Sequence, residues 1–380
     1  MGLATVATVA VMGGLSATAA QAENAATPAN APNASNAVEP APAVPAEWGP
    51  FTNGNDFLLA AGFLAAHPGT PASLPGGAWE VELGYGVANT FAKSQALGGL
   101  FTPQHARRAV TTADLDAAAP GRDSIFYIDG EVSRTSVTVR RGLGNGIEIE
   151  AILPVQDIGG GYTDGLIEGF HKAFSLNQSG RLTVSRNGYT VYIRNDGERF
   201  VRTDGPGAGA GDVVLGAKSE LRPPAWLAGI GFGELAVQGL LKLPTGNARD
   251  FYGSGSADVG LQLLSTRPLG RGRIDVTLAA LVLGADTDLG TSAQTVAAVS
   301  VAYERPLFAA SSVLAQFDVS QSPLRTVRKT ALTPTTYLIS FGAGHAFTPR
   351  LSAVVGFTEN LLNYDNSADI AVHFGLRRRF

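Results

Sequence analysis

Residues 370–380 read IAVHFGLRRRF. Extended, this stretch sends Ile370, Val372, Phe374, Leu376 and Phe380 to one side and Ala371, His373, Gly375, Arg377 and Arg379 to the other, because successive side chains of a strand alternate. A strand apolar on one face and polar on the other, ending on an aromatic, suits the wall of an outer-membrane β-barrel. A soluble sandwich also contains such strands, so the rest of the chain must separate the two. Arg378 departs from the pattern by falling on the apolar side, which is tolerable near a membrane interface where its head reaches water. Phe380 is the expected signal to the outer-membrane assembly machinery, and outer-membrane lipids are the other expected partner.

The same alternation recurs back through the chain. Trp79, Val81, Leu83 and Tyr85 oppose Glu80, Glu82, Gly84 and Gly86, and Ile147 and Ile149 oppose Glu148 and Glu150. Ile274, Val276 and Leu278 oppose Asp275 and Thr277, and Phe317 and Val319 oppose Asp318 and Ser320. Apolar residues make up 45% and charged residues 16% without any continuous apolar run of helical-span length past the N-terminus, so membrane crossing is expected by strands rather than helices. With the C-terminus periplasmic, the short connections at 348–350, 268–271 and 142–145 fall on the periplasmic side. The long ones at 321–333, 244–255, 156–181 and 91–121 fall outside, as bacterial barrels require. The expected fold is all-β: a transmembrane antiparallel up-and-down barrel over residues 48–380, with one helix-containing external loop or plug. It has about 12 strands if residues 181–201 form an external hairpin turning at Asn187-Gly188, and about 14 if that hairpin joins the wall.

Ahead of the barrel, residues 3–15 are apolar and Ala20-Gln21-Ala22 is an A-x-A site, which reads as a cleaved secretory signal peptide over residues 1–22. No Lys or Arg precedes the apolar stretch. Residues 23–47 are mostly Ala, Pro and Asn, too poor in bulky side chains to bury a core, and are expected to be a disordered tether. The expected location is the outer membrane of a Gram-negative bacterium. The absence of cysteine excludes disulfides and thiolate chemistry, and a net charge of −4 without a basic patch argues against nucleic acid.

Between Pro154 and Arg181 the period changes from two to helical. Leu166, Ile167, Phe170 and Phe174 share one face of the expected helix, and Asp164, Glu168 and His171 lie near the other. Two carboxylates and an imidazole at this spacing suit metal binding or acid–base work, with Ser175 the nearest serine for a nucleophile. A solvated polar face of an amphipathic helix, with Asp164 near its N-terminus, accounts for them more simply and is the favoured reading, and one helix supplies too few convergent ligands to specify a metal. None of the familiar hydrolase, metalloprotease or phosphate-loop patterns is present.

Glu150-Ala151-Ile152-Leu153-Pro154, Gly159-Gly160-Gly161, the run from Asp164 to His171, Phe174-Ser175-Leu176 and Gly180-Arg181 resemble the core signature of a family of Gram-negative outer-membrane barrels known only as a domain of unknown function. Gly49-Pro50-Phe51, Gly211-Asp212-Val213, Lys218, Leu243-Pro244-Thr245-Gly246 and Asp258-Val259-Gly260-Leu261 are similar too, so the resemblance covers most of residues 48–380. Family members usually carry Gly where this chain has Ser175. The resemblance implies fold and location, and carries over no catalytic residue.

Three functions fit such a chain. The first is a channel or transporter for a small solute or lipid-like molecule, with Glu80, Glu82, Glu148 and Glu150 and the cations Arg140, Lys218, Arg377 and Arg379 lining the lumen. Pairing of the first and last strands would set the early glutamates against Arg377 or Arg379. The second is an interaction barrel that binds a partner through its long external loops. The third is an outer-membrane hydrolase using Asp164, Glu168 and His171. No cofactor or metal is expected. Whether the helix plugs the lumen or caps it from outside bears most directly on the first.

Overall fold

The computed structural model describes residues 48–380 apart from 53–54, 103–106, 122–123, 196–197, 287, 309, 328–330 and 363. The expected signal peptide and tether lie outside these residues. Fifteen strands form one sheet: β1 (Trp79–Lys93), β2 (Ser124–Gly144), β3 (Ile147–Gly159), β4 (Thr190–Asn195), β5 (Glu198–Arg202), β6 (Gly207–Ala210), β7 (Val213–Leu221) and β8 (Glu234–Leu243). After them come β9 (Asp258–Leu269), β10 (Gly272–Leu283), β11 (Gln294–Phe308), β12 (Ser311–Ser320), β13 (Thr336–Thr348), β14 (Leu351–Leu362) and β15 (Ile370–Arg379).

The wall is a closed antiparallel barrel of 12 strands. It runs β1-β2-β3, then β7 through β15 in sequence order, and closes where β15 pairs β1 with Glu80 opposite Arg379 and Glu82 opposite Arg377. The last residue completes the seam, its N–H donating to the Trp79 carbonyl at 2.8 Å. Closure leaves no exposed edge, and the outward side chains form an apolar belt in which Leu83, Leu153, Leu261, Leu278, Val299 and Phe374 are exposed. A water-soluble surface rarely carries so much contiguous apolar area, whereas a barrel in a bilayer must. Arg378 stands in this belt at its periplasmic margin, its guanidinium 5.0 Å from the Phe380 ring.

The hairpin β4–β5 is not part of the closed wall, so the smaller strand number holds. It turns between Asn195 and Glu198 rather than at Asn187-Gly188, and β4 pairs with the start of β2, Phe126 opposite Ile193. This is possible because β2, at 21 residues, is about twice the length that crosses a bilayer. Its start, Ser124–Asp129, pairs with β4 instead of β3, and the loop segments are seated there on its outer face. Phe91, Leu97, Phe101, Leu115, Ile125, Tyr127, Val184 and Tyr192 form the core of that outer subdomain.

The helix Asp164–Ala173 belongs to this subdomain and lies against the outside of β1, away from the lumen. Ser175 follows its C-cap with φ +56°, a left-handed conformation favoured by Gly. The Leu176 N–H donates to the His171 carbonyl at 2.7 Å and the Ser175 N–H to the Lys172 carbonyl at 3.3 Å, a Schellman closure. The lumen is filled instead by residues 48–78, which the period of the sequence did not single out. This segment rises from the periplasmic end to a crest at residues 57–64 and descends again into β1.

Candidate functional site

The plug is built from the outside in. At its crest Phe57, Leu58, Leu59, Phe63 and Leu64 are buried against inward-facing Leu281, Leu283 and Val296 and against loop residues Phe251, Leu324 and Leu332. Gly62 touches the loop so closely that a Cβ there would stand 2.6 Å from the Gly253 carbonyl carbon. Lower down, Phe51 occupies a space left by small wall residues, since a Cβ on Gly356 would come within 2.4 Å of its ring. The wall glycines at Gly356 and Gly342 thus leave room for an aromatic side chain of the plug.

Polar wall side chains hold the plug's main chain. Gln316 accepts from the Phe51 N–H at 2.7 Å and donates to its carbonyl at 3.1 Å. Gln262 does the same for His67, at 2.6 and 3.0 Å. Each glutamine therefore satisfies the plug backbone as a neighbouring strand would. Glu304 accepts from Trp48 and Gly49 at 2.8 and 3.0 Å, and Asp258 from Leu64 at 2.9 Å. Lys218 donates to the carbonyls of Thr70 and Ala72. Among the described residues, no main-chain hydrogen bond joins residues 48–76 to a wall strand.

Asp258 is itself part of a buried cluster: the Lys242 Nζ lies 2.5 Å from Asp212 and 3.2 Å from Asp258. Asp212 also accepts from the Gly246 N–H at 2.8 Å. The scattered fragments Gly211-Asp212, Leu243 to Gly246 and Asp258 thus meet around Lys242, a residue the sequence reading did not select.

The periplasmic half of the lumen holds a cavity of about 680 Å³ between plug and wall, bordered by Trp48, His67, Glu80, Arg140, Glu148, Glu150, Lys218, Arg377 and Arg379. Arg140 reaches Glu80 at 2.9 Å, Glu82 at 2.8 Å and Glu150 at 3.2 Å. Arg377 reaches Glu82 at 3.0 Å and Glu80 at 3.3 Å, Arg379 reaches Glu80 at 2.7 Å, and Lys218 reaches Glu148 at 3.1 Å. These four carboxylates and four cations balance, and Arg273 and Arg350 also border the cavity, so the floor is strongly polar and mixed in sign rather than a ring of one sign. Arg377 also holds the plug, donating to the Trp48 carbonyl at 2.7 Å with its guanidinium 4.0 Å from the indole. Two narrower crevices flank the crest, one bordered by Leu283, Val296, Ser300 and Asp318 and the other by Arg134, Gln156, Asp212 and Lys242.

Asp164, Glu168 and His171 are all buried on one side of their helix, but they do not converge on one another. Asp164 accepts from Arg181 at 2.6 Å, from Asn89 at 3.1 Å and from the Asn187 N–H at 2.6 Å. Glu168 accepts from Arg107 at 2.8 Å and Arg186 at 2.5 Å. Burial raises its pKa, yet these two arginines hold the carboxyl below the usual range. The His171 Nδ1 is buried without a hydrogen-bond partner, and burial lowers the imidazole's pKa although Asp369 opposes the shift. No described hydrogen bond links His171 to Ser175, Asp164 or Glu168. Among the described residues no cluster of His, Asp and Glu has metal-binding geometry. Arg181, missed as a site residue, is the hub: it also pairs with Asp369 and donates to Asn89 at 2.9 Å.

Among solved structures, the chain is similar to the COG4313 outer-membrane channel from Pseudomonas putida F1, at 14% identity and TM-score 0.50 over 83% of this chain and 100% of that one. It is also similar to the NanC porin, at 9% identity and TM-score 0.40 over 79% and 98%. The likeness to the first, at TM-score 0.50 and 14% identity, speaks for the fold alone, which matches outer-membrane proteins of Gram-negative bacteria. No curated protein matches the chain. A family model described as "Protein of unknown function (DUF3187)" matches residues 31–380.

Proposed function

The chain belongs to the DUF3187 family, and from that premise we propose that it is an outer-membrane channel for a small polar solute, closed by residues 48–78 and opened by their displacement. The observation that carries this reading is how the plug is attached. Wall side chains grip it, and among the described residues no main-chain ladder joins residues 48–76 to the barrel. Residues 48–76 can therefore leave without unzipping the strand-to-strand ladder of the wall, pivoting on Gly77 and Ala78, whose main chain bonds Gly142 of β2. The outer end is closed by apolar contact at the crest, and the inner end opens into the charged cavity of about 680 Å³. That volume is within the usual range of small-molecule sites. Its floor of paired carboxylates and guanidiniums suits a polar solute better than a lipid-like one, because a lipid chain would strip water from charges and return no hydrogen bonds.

Planar-bilayer recording of purified protein tests the proposal. Replacing residues 54–74 by a short Gly/Ser linker should yield a steady, large conductance where the full chain gives rare, brief openings. A variant that migrates as a folded, heat-modifiable barrel yet carries no current would overturn the channel reading.

A further inference from the structure

The helix Asp164–Ala173 is turned inside out relative to a helix on a water-soluble protein. Its two carboxylates and its histidine are buried, Asp164, Glu168 and His171 being 4%, 6% and 8% exposed, and of its ionisable side chains Lys172 is the exposed one. Apart from Ile167, which is buried with them, its large apolar side chains stay accessible: Leu166 is 62% and Phe174 54% exposed, Phe170 is half-buried, and Tyr162, just ahead of the helix, is 64% exposed. At 100° per residue the helix has three faces. Asp164, Ile167, Glu168 and His171 face the outer subdomain. Leu166, Phe170 and Phe174 occupy a second arc, and Gly165, Gly169 and Lys172 a third, which is exposed.

The apolar arc continues the belt of the barrel. The Tyr162 hydroxyl lies 2.8 Å from that of Tyr85, an outward-facing residue of β1. The Phe170 ring is 6.4 Å from Phe357 of β14 and 4.7 Å from Phe174. Phe357 in turn lies 5.7 Å from Phe341, and Tyr85 6.5 Å from Phe374. All four wall residues are on the lipid-facing side of their strands. Aromatic side chains collect at this level in membrane barrels, where the hydrocarbon meets the headgroups.

We infer that this helix is an in-plane membrane anchor. It lies at the external rim with Leu166, Phe170 and Phe174 inserted among the acyl chains of the outer leaflet, Lys172 directed to the headgroups, and its polar side fastened to the subdomain through Arg181, Arg107 and Arg186. A helix with a strong apolar face and a charged opposite face lies in the interface plane in this way. The buried ion pairs then have a purpose beyond stability. They fix the roll of the helix so that the apolar arc meets lipid, which plain hydrophobic burial against the protein would reverse.

The chain contains no cysteine, so single-cysteine variants Leu166→Cys, Phe174→Cys, Gly169→Cys and Lys172→Cys can each carry one environment-sensitive fluorophore. The measurement is made on full-length protein in phosphatidylcholine vesicles, after heat modifiability has shown each variant folded. Probes at 166 and 174 should be blue-shifted, lose intensity to phospholipids bearing a nitroxide on the acyl chain, and resist aqueous iodide. Probes at 169 and 172 should behave in the opposite way. Equal iodide quenching at all four positions would overturn the inference. So would probes at 166 and 174 shielded from both quenchers, which would mean that protein, not lipid, covers this face.

Discussion

If wall side chains alone hold the plug, removing the two glutamines that act as surrogate strands should release it by a calculable amount. Gln316 and Gln262 each make two hydrogen bonds to plug main chain, at 2.6 to 3.1 Å, and both are buried. Each lost bond costs about 1 kcal/mol net, and a buried N–H left without an acceptor adds about 1 kcal/mol more. Gln316→Ala should thus weaken the closed state by about 2–3 kcal/mol, a shift of roughly 30- to 150-fold in the closed-to-open ratio at about 1.4 kcal/mol per tenfold. The two glutamines grip opposite limbs of the plug, so Gln262→Ala should act nearly independently and the pair should approach the sum. The readout is single-channel open probability in a planar bilayer, with heat modifiability as the check on the wall. A Gln316→Ala, Gln262→Ala double variant with a normal wall and unchanged open probability would refute the idea that these contacts hold the gate shut.

Three further outcomes follow from the external subdomain. Ser175→Gly should stabilise the helix C-terminus by about 0.5–1 kcal/mol, because it relieves a left-handed conformation that costs an L-residue about 1–2 kcal/mol; slower amide exchange over residues 164–176 is the check. Arg181→Ala leaves Asp164 and Asp369 buried without their shared cation and should cost about 3–5 kcal/mol. It should free residues 160–189 to protease while the barrel remains heat-modifiable; Arg181→Lys should rescue little, since a lysine cannot bridge two carboxylates and an amide in one plane. The folded-state pKa of His171 lies below its ordinary 6.5, so the folded helix favours the neutral ring. Its contribution is complete above that value and is lost as the pH falls toward the folded pKa, by at most about 1.4 kcal/mol per pH unit. Protection factors of the helix amides, referred to the intrinsic exchange rate at each pH, should fall below pH 6.5, and His171→Asn should remove that dependence.

How much of this was legible in the sequence depended on whether period two or something else carried the information. The wall was legible because lipid and lumen impose opposite chemistry on alternate residues, which put Glu80 or Glu82 opposite Arg377 or Arg379 on condition that the first and last strands pair; the register that matches each to its partner came from the structure. Alternation fails toward the outer end of β10, where Ala279, Leu281 and Leu283 face inward and are as apolar as their outward neighbours. The reason is the plug crest: these residues meet Phe57 to Leu64 rather than water. The plug itself has no period, since it is neither helix nor strand over most of its length. Its only sequence trace is the complementary one, the buried amides and carboxylates Gln262, Gln316, Glu304 and Asp258 at inward positions where a water-filled pore would not need them.

The helix shows the opposite failure. Its period was readable, and so were its two faces except at Ile167, which is buried with Asp164, Glu168 and His171 instead of lying with Leu166, but the sequence could not say which face was inside. A polar arc of Asp164, Glu168 and His171 normally means the solvent side, because isolated charges are expensive to bury. Here Arg181, Arg107 and Arg186 come from distant positions to neutralise it, and only Gly180-Arg181 stood in the motif that resembled the family signature. That motif is therefore a clamp: Asp164 and Arg181 meet at 2.6 Å across the outside of β1. The same holds for Asp212 and Asp258 around Lys242 beneath the plug crest. Both sets of signature residues hold non-strand segments to a barrel that would close without them, one on the outside and one within. A closed wall by itself needs neither clamp, so their chemistry serves to seat the plug within, where Asp258 accepts from the Leu64 N–H, and the helix outside, where Arg181 holds Asp164.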